Sequence, residues 1–194
     1  MTPVANAPPL AVAAPARGAW PWRSPVRARV GALGLRGGTW TRPDGAVDSV
    51  QWIDLPARPA LDLAALEADY FAWVPAMSAG LVRPEAPALG RPARLAIGLG
   101  RAARPAMVRM EAPRLDAWRR LRPIVGGLLA HPGGWLSFEV HARPRATRLA
   151  VCLVGFWPRL PLFVYLRTQA RLHERSTFAF LRVVARRHDA AALA

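Results

Sequence analysis

Between Pro161 and Arg187 the apolar and polar positions recur with the period of an α-helix, and this predicts one long helix with two faces. At about 100° per residue, Arg167, Arg171, Arg175, Arg182 and Arg186 fall on one narrow stripe. Leu162, Leu166, Ala170, Phe180, Leu181 and Val184 fall on the other side. Gln169, His173 and Thr177 interrupt that apolar side at i, i+4 and i+8. The charged stripe suits a helix lying on a protein surface. The polar trio suits either a helix over a pocket or a buried imidazole satisfied by its neighbours, because the ring nitrogens of a buried histidine need partners.

Upstream the period changes. From Trp135 to Ala142 it is two: Leu136, Phe138 and Val140 point one way, and Trp135, Ser137, Glu139 and His141 the other. Thr147 to Trp157 is apolar on both faces and reads as a central strand. Val26 to Leu35, closed by Gly37 and Gly38, and Val47 to Asp54 read as strands joined through the turn residues Pro43, Asp44 and Gly45. Asp62 to Val74 reads as an amphipathic helix with Leu63, Leu66, Tyr70 and Trp73 on one face, Asp62 as its N-cap and Pro75 as its stop. Leu95 to Leu99 and Met107 to Met110 read as short strands, and Leu115 to Leu121 as a short helix. This order predicts an α+β fold, a curved antiparallel sheet packed around a long C-terminal helix. Residues 1–25 read as a disordered Ala/Pro-rich leader that Trp20 and Trp22 can dock, 26–188 as a single domain and 189–194 as a frayed tail.

Composition adds a strong positive charge. The 27 basic residues, all arginine, stand against 12 acidic ones, for a formal net charge of +15. The absence of Lys, the single Asn and the three Ile fit a GC-rich coding bias, which explains Arg over Lys but not the shortage of acids. An ordinary basic surface and an anionic partner, membrane or nucleic acid, are both open. The lone Cys152 lies in an apolar run, which excludes an intramolecular disulfide and predicts a buried small side chain. The start of the chain has no basic and apolar signal pattern, so the expected location is the cytoplasm.

Few motifs carry chemistry. Gly98, Gly100 and Ala103 have dinucleotide-loop spacing, but Pro105 falls where the phosphate-binding helix would form. His131, His141, His173 and His188 show no metal-ligand spacing, and no nucleophile elbow is present; no cofactor and no metal are expected. Ser137, Glu139 and His141 share a strand face, either as an acid-base group or as the wet face of a half-buried strand. Trp40, Trp52, Trp135 and Trp157 fall on predicted strands, where they fill a core or wall a cavity.

The segment Leu129-Ala-His131-Pro132-Gly133-Gly134-Trp135-Leu-Ser-Phe138-Glu139-Val140 is similar to a His-Pro-x-x-Gly stretch leading into a strand. After a second strand come Arg159, Leu160 and Pro161, then a helix carrying Gln169 among arginines. Over residues 124–187 these features resemble an uncharacterised bacterial family of START-like proteins, of the helix-grip (SRPBCC) superfamily that also holds the birch-pollen allergen and polyketide cyclases. The chain departs from that pattern where Gly134 and Trp135 stand in place of the acidic residues that usually follow the glycine. The resemblance implies a cavity between sheet and terminal helix that binds a small, largely apolar ligand, with Leu166, Gln169, His173, Thr177, Phe180 and Trp157 as its contacts. The alternative from the residues is a surface-binding protein that uses the arginine stripe.

Overall fold

The two best-patterned strand segments form the centre of the molecule. In the computed structural model, which describes residues 35–55, 61–85, 91–97, 105–144 and 146–192, with side chains to 188, they become β8 (Trp135–Ala142) and β9 (Thr147–Phe156). These pair antiparallel, from Trp135 opposite Val154 to Ala142 opposite Thr147. β2 (Val47–Leu55) flanks β9, and β1 (Arg36–Thr41) forms a hairpin with β2 across the turn at Gly45, whose φ is 89°. Beyond β8 the sheet continues through β7 (Arg119–Gly126), β5 (Ala106–Met110), β4 (Ala93–Ile97) and β3 (Val82–Glu85), with the short β6 (Arg114–Asp116) also on β7. The protein is therefore α+β: among the described residues, a nine-stranded antiparallel sheet in the order β1-β2-β9-β8-β7-β5-β4-β3 that does not close on itself.

One face of the sheet carries the helices. Ile53, Leu136, Phe138, Leu149, Val151 and Leu153 point into a core shared with α1 (Leu63–Met77) and α3 (Gln169–Ala192). The stripe read from sequence packs as expected: Phe180, Leu181 and Val184 of α3 are buried, and Tyr70 of α1 meets the rings of Phe138 and Phe180 edge-on at 5.3 Å. On the opposite face Val50, Ala150 and the buried Cys152 lie under Trp40, Trp52 and Val154. No helix among the described residues is long and apolar enough to cross a membrane.

Several expectations are corrected. The terminal helix is two segments, α2 (Leu162–Arg167) and α3, the latter running to Ala192. The break is at Thr168 (φ −116°, ψ −81°), whose hydroxyl donates to Val164 O at 2.7 Å; such back-bonding bends helices. Leu115 to Leu121 is not a helix but β6, a turn and the start of β7, where Arg120 and Arg122 find a buried carboxylate on α1. Gly37 and Gly38 lie inside β1 rather than closing a strand; a Cβ on Gly37 would stand 2.5 Å from Val50 O. Pro75 sits within α1, and the helix ends two residues later, where the Ser78 N–H bonds Val74 O and Ala79 and Gly80 take positive φ. β3 has no counterpart in the sequence pattern. The leader, the residues before Leu35 and the Gly98–Ala103 loop lie outside the described residues.

Candidate functional site

Where the C-terminal half of α1 and the first two turns of α3 bridge the sheet, the core is not filled. A cavity of about 170 Å³ remains, walled by Val74 and Met77 from α1, Met110 and Ile124 from β5 and β7, and Leu136 and Leu153 from β8 and β9. Among the described residues its polar lining is Tyr70, Ser78, Tyr165, Gln169, His173 and Ser176, with no acidic or arginine side chain. The Ser78 hydroxyl is already engaged, accepting from Val82 N at 2.9 Å.

A short polar chain crosses one end. Tyr70 Oη lies 3.3 Å from Thr177 Oγ1 and 3.5 Å from His173 Nδ1. His173 Nε2 is shut off from solvent and has no hydrogen-bond partner among the described residues. Burial lowers the imidazole pKa to about 4 and raises that of the Tyr70 phenol, so both are uncharged at neutral pH. Whichever tautomer His173 adopts, Nε2 offers one unused donor or acceptor.

The sequence-derived residues separate. Gln169 and His173 line the cavity. Thr177 is buried one turn further on, behind Tyr70, and Phe180 packs into the core against the same ring. Leu166 lies on α2, beyond the break at Thr168, and packs partly buried against the core instead of the cavity. Trp157 is 39% exposed, outside the lining and beside Gly133. Tyr70, Leu172 and Ser176 are wall residues that the sequence reading missed. The last two stand at i+3 and i+7 from Gln169, a spacing that could have identified them.

The second polar group lies elsewhere. Ser137 Oγ donates to Glu139 Oε1 at 2.8 Å, and His141 Nε2 is 3.1 Å from Glu139 Oε2. They are on the sheet face away from the cavity, with Ser137 and Glu139 buried, so of the two readings this is not a wet face. Cys152 sits opposite Ser137, and burial, reinforced by the Glu139 charge, pushes its thiol well above the usual range, leaving it a poor nucleophile. No cluster of three metal-ligating side chains occurs among the described residues. Arg167, Arg171, Arg175, Arg182 and Arg186 are all exposed and, among the described residues, form no ion pair.

The chain matches no known protein family and no curated protein. Several solved structures are similar to it. One is TTHA0849 from Thermus thermophilus, at 15% identity over 74% of this chain and 98% of that one, with a TM-score of 0.45. Another is DynU16, a putative protein of the dynemicin biosynthetic locus, at 15% identity over 73% of this chain but 47% of that one, with a TM-score of 0.39.

Proposed function

We propose that this protein binds one small uncharged molecule in the cavity beneath α3, and that His173 orients it by a hydrogen bond from or to Nε2. The observation that carries this reading is the buried, unpartnered Nε2 beside an unfilled apolar space. A buried polar atom without a partner costs about 1–3 kcal/mol, and a ligand polar group would remove that cost. Size and polarity limit the occupant. An apolar cavity of about 150 Å³ accepts benzene, so about 170 Å³ suits a single ring or a short branched chain. With no charged side chain among the described lining residues, an ionic ligand would enter unpaired there, which is costly. The helix laid against an antiparallel sheet supports the START-like resemblance and the ligand-holding role that it implies.

Calorimetry with p-cresol, toluene and benzoate tests this. Wild type is expected to bind p-cresol about 2- to 10-fold more tightly than toluene, the worth of one hydrogen bond, and to ignore benzoate. His173→Leu should erase the preference, and Leu136→Phe, which fills the space, should abolish binding of both. No binding of either neutral probe by wild type, or unchanged binding by Leu136→Phe, overturns the reading.

A further inference from the structure

Leu172 is both a cavity wall and 46% exposed, so the cavity reaches the surface there. At about 100° per residue it stands between the inward Gln169, His173 and Ser176 and the outward Arg171 and Arg175. Immediately before α3, the short α2 buries Tyr165 and exposes Leu162 and Phe163, the latter at 67%. The loop that carries the exposed Leu128 is held beside the segment leading into α2: Arg159 N donates to Leu129 O at 3.1 Å, and His131 N to Trp157 O at 2.9 Å. Along the chain these apolar side chains alternate with the exposed Arg159, Arg167, Arg171 and Arg175. Between Trp157 and His188 the sequence has seven arginines and one acidic residue, Glu174.

We infer that this stretch docks on an anionic lipid membrane, with Phe163, Leu162 and Leu172 entering the headgroup–acyl boundary and the arginines bonding lipid phosphates. Single exposed apolar residues need no explanation. Here Leu162, Phe163 and Leu172 are exposed within one short stretch that also exposes Arg167, Arg171 and Arg175, which among the described residues have no ion-pair partner. That combination is the signature of an interfacial surface. A nucleic acid would satisfy the same arginines, but it gives Phe163 and Leu162 nothing to bury against, so the apolar component decides for a membrane. The docked orientation places the cavity edge at Leu172 against the bilayer, where an apolar ligand partitions. The inference concerns the surface alone and holds whether or not the cavity is occupied.

Co-sedimentation of the full chain tests it, with vesicles of phosphatidylcholine alone and of phosphatidylcholine mixed with phosphatidylglycerol, across a salt series, and with duplex DNA as a separate arm. The protein should pellet with the mixed vesicles, not with phosphatidylcholine alone, and less as salt rises. Replacing Arg171 and Arg175 together by Ser should weaken vesicle binding about 10-fold or more. Phe163→Ser, at an exposed position, should weaken it several-fold and leave any DNA binding unchanged. Failure to pellet with anionic vesicles overturns the inference. So does vesicle binding that is indifferent to Phe163→Ser, or binding to DNA without binding to vesicles.

Discussion

Glu67 on α1 accepts a hydrogen bond from Arg122 Nε on β7 at 2.5 Å, with the carboxylate 4% and the guanidinium 1% exposed. Arg120 Nε bonds the other carboxylate oxygen at 2.6 Å, and Arg122 Nη1 donates to Arg91 O and Glu111 O. Two cations on one anion under the helix fix α1 to the sheet at one angle. One turn along, that angle sets Tyr70, at i+3, over the end of the cavity beside His173. The cluster therefore acts on the candidate site from outside it.

Removing the anion leaves two buried cations unpaired. Glu67→Ala is expected to destabilise the fold by about 3–5 kcal/mol, the usual cost of breaking a buried pair from one side. Glu67→Gln keeps one acceptor oxygen and should lose less. Urea unfolding at neutral pH measures both, and a Glu67→Ala protein as stable as wild type would refute the role given to the cluster.

His173 ties stability to pH. Its folded pKa is about 4, against 6.5 for a free imidazole. Between those values the unfolded chain binds a proton that the folded chain refuses, so stability falls as pH falls. The contribution is fully present above about pH 6.5, is lost on the way down to about pH 4, and is constant below that. From pH 7 to pH 5 the loss amounts to about 2 kcal/mol. In His173→Gln this component disappears, so the difference between the two pH profiles isolates it; parallel profiles would show that the imidazole is not held neutral.

Much of this architecture is written in local periodicity. The alternation from Leu136 to Val140, the doubly apolar β9 and the inward stripe at Phe180, Leu181 and Val184 each face where their spacing places them. The same spacing brings Gln169 and His173 to the inner side of α3. What local pattern does not carry is tertiary pairing. The partner of Arg120 and Arg122 is more than fifty residues away, and so the start of β7 reads as part of a short helix. The break at Thr168 depends on one hydroxyl bonding one carbonyl, while the helical period runs on through it. The cavity depends on side chains from five or more elements falling short of one another, a property of no single segment.

The pair of glycines ahead of β8 gives the sharpest steric prediction. Gly134 has φ +71°, and a Cβ there would stand 2.3 Å from the carbonyl oxygens of Val154 and Gly155. Gly155 is also at positive φ, and its N–H donates to Asp48 Oδ1 at 2.7 Å, while Asp48 Oδ2 accepts from Arg42 Nε at 2.8 Å. The start of β8 thus lies flush on the end of β9, pinned from the far side by a buried carboxylate. Gly80 is the control: its φ is +76°, but nothing lies within 4 Å of its Cβ position. Gly80→Ala meets only the left-handed backbone cost of about 1 kcal/mol. Gly134→Ala adds a clash with backbone that cannot step aside and should cost at least about 2 kcal/mol more. Thermal and urea unfolding of the two variants give the comparison; equal losses would mean that β8 and β9 do not approach this closely at Gly134.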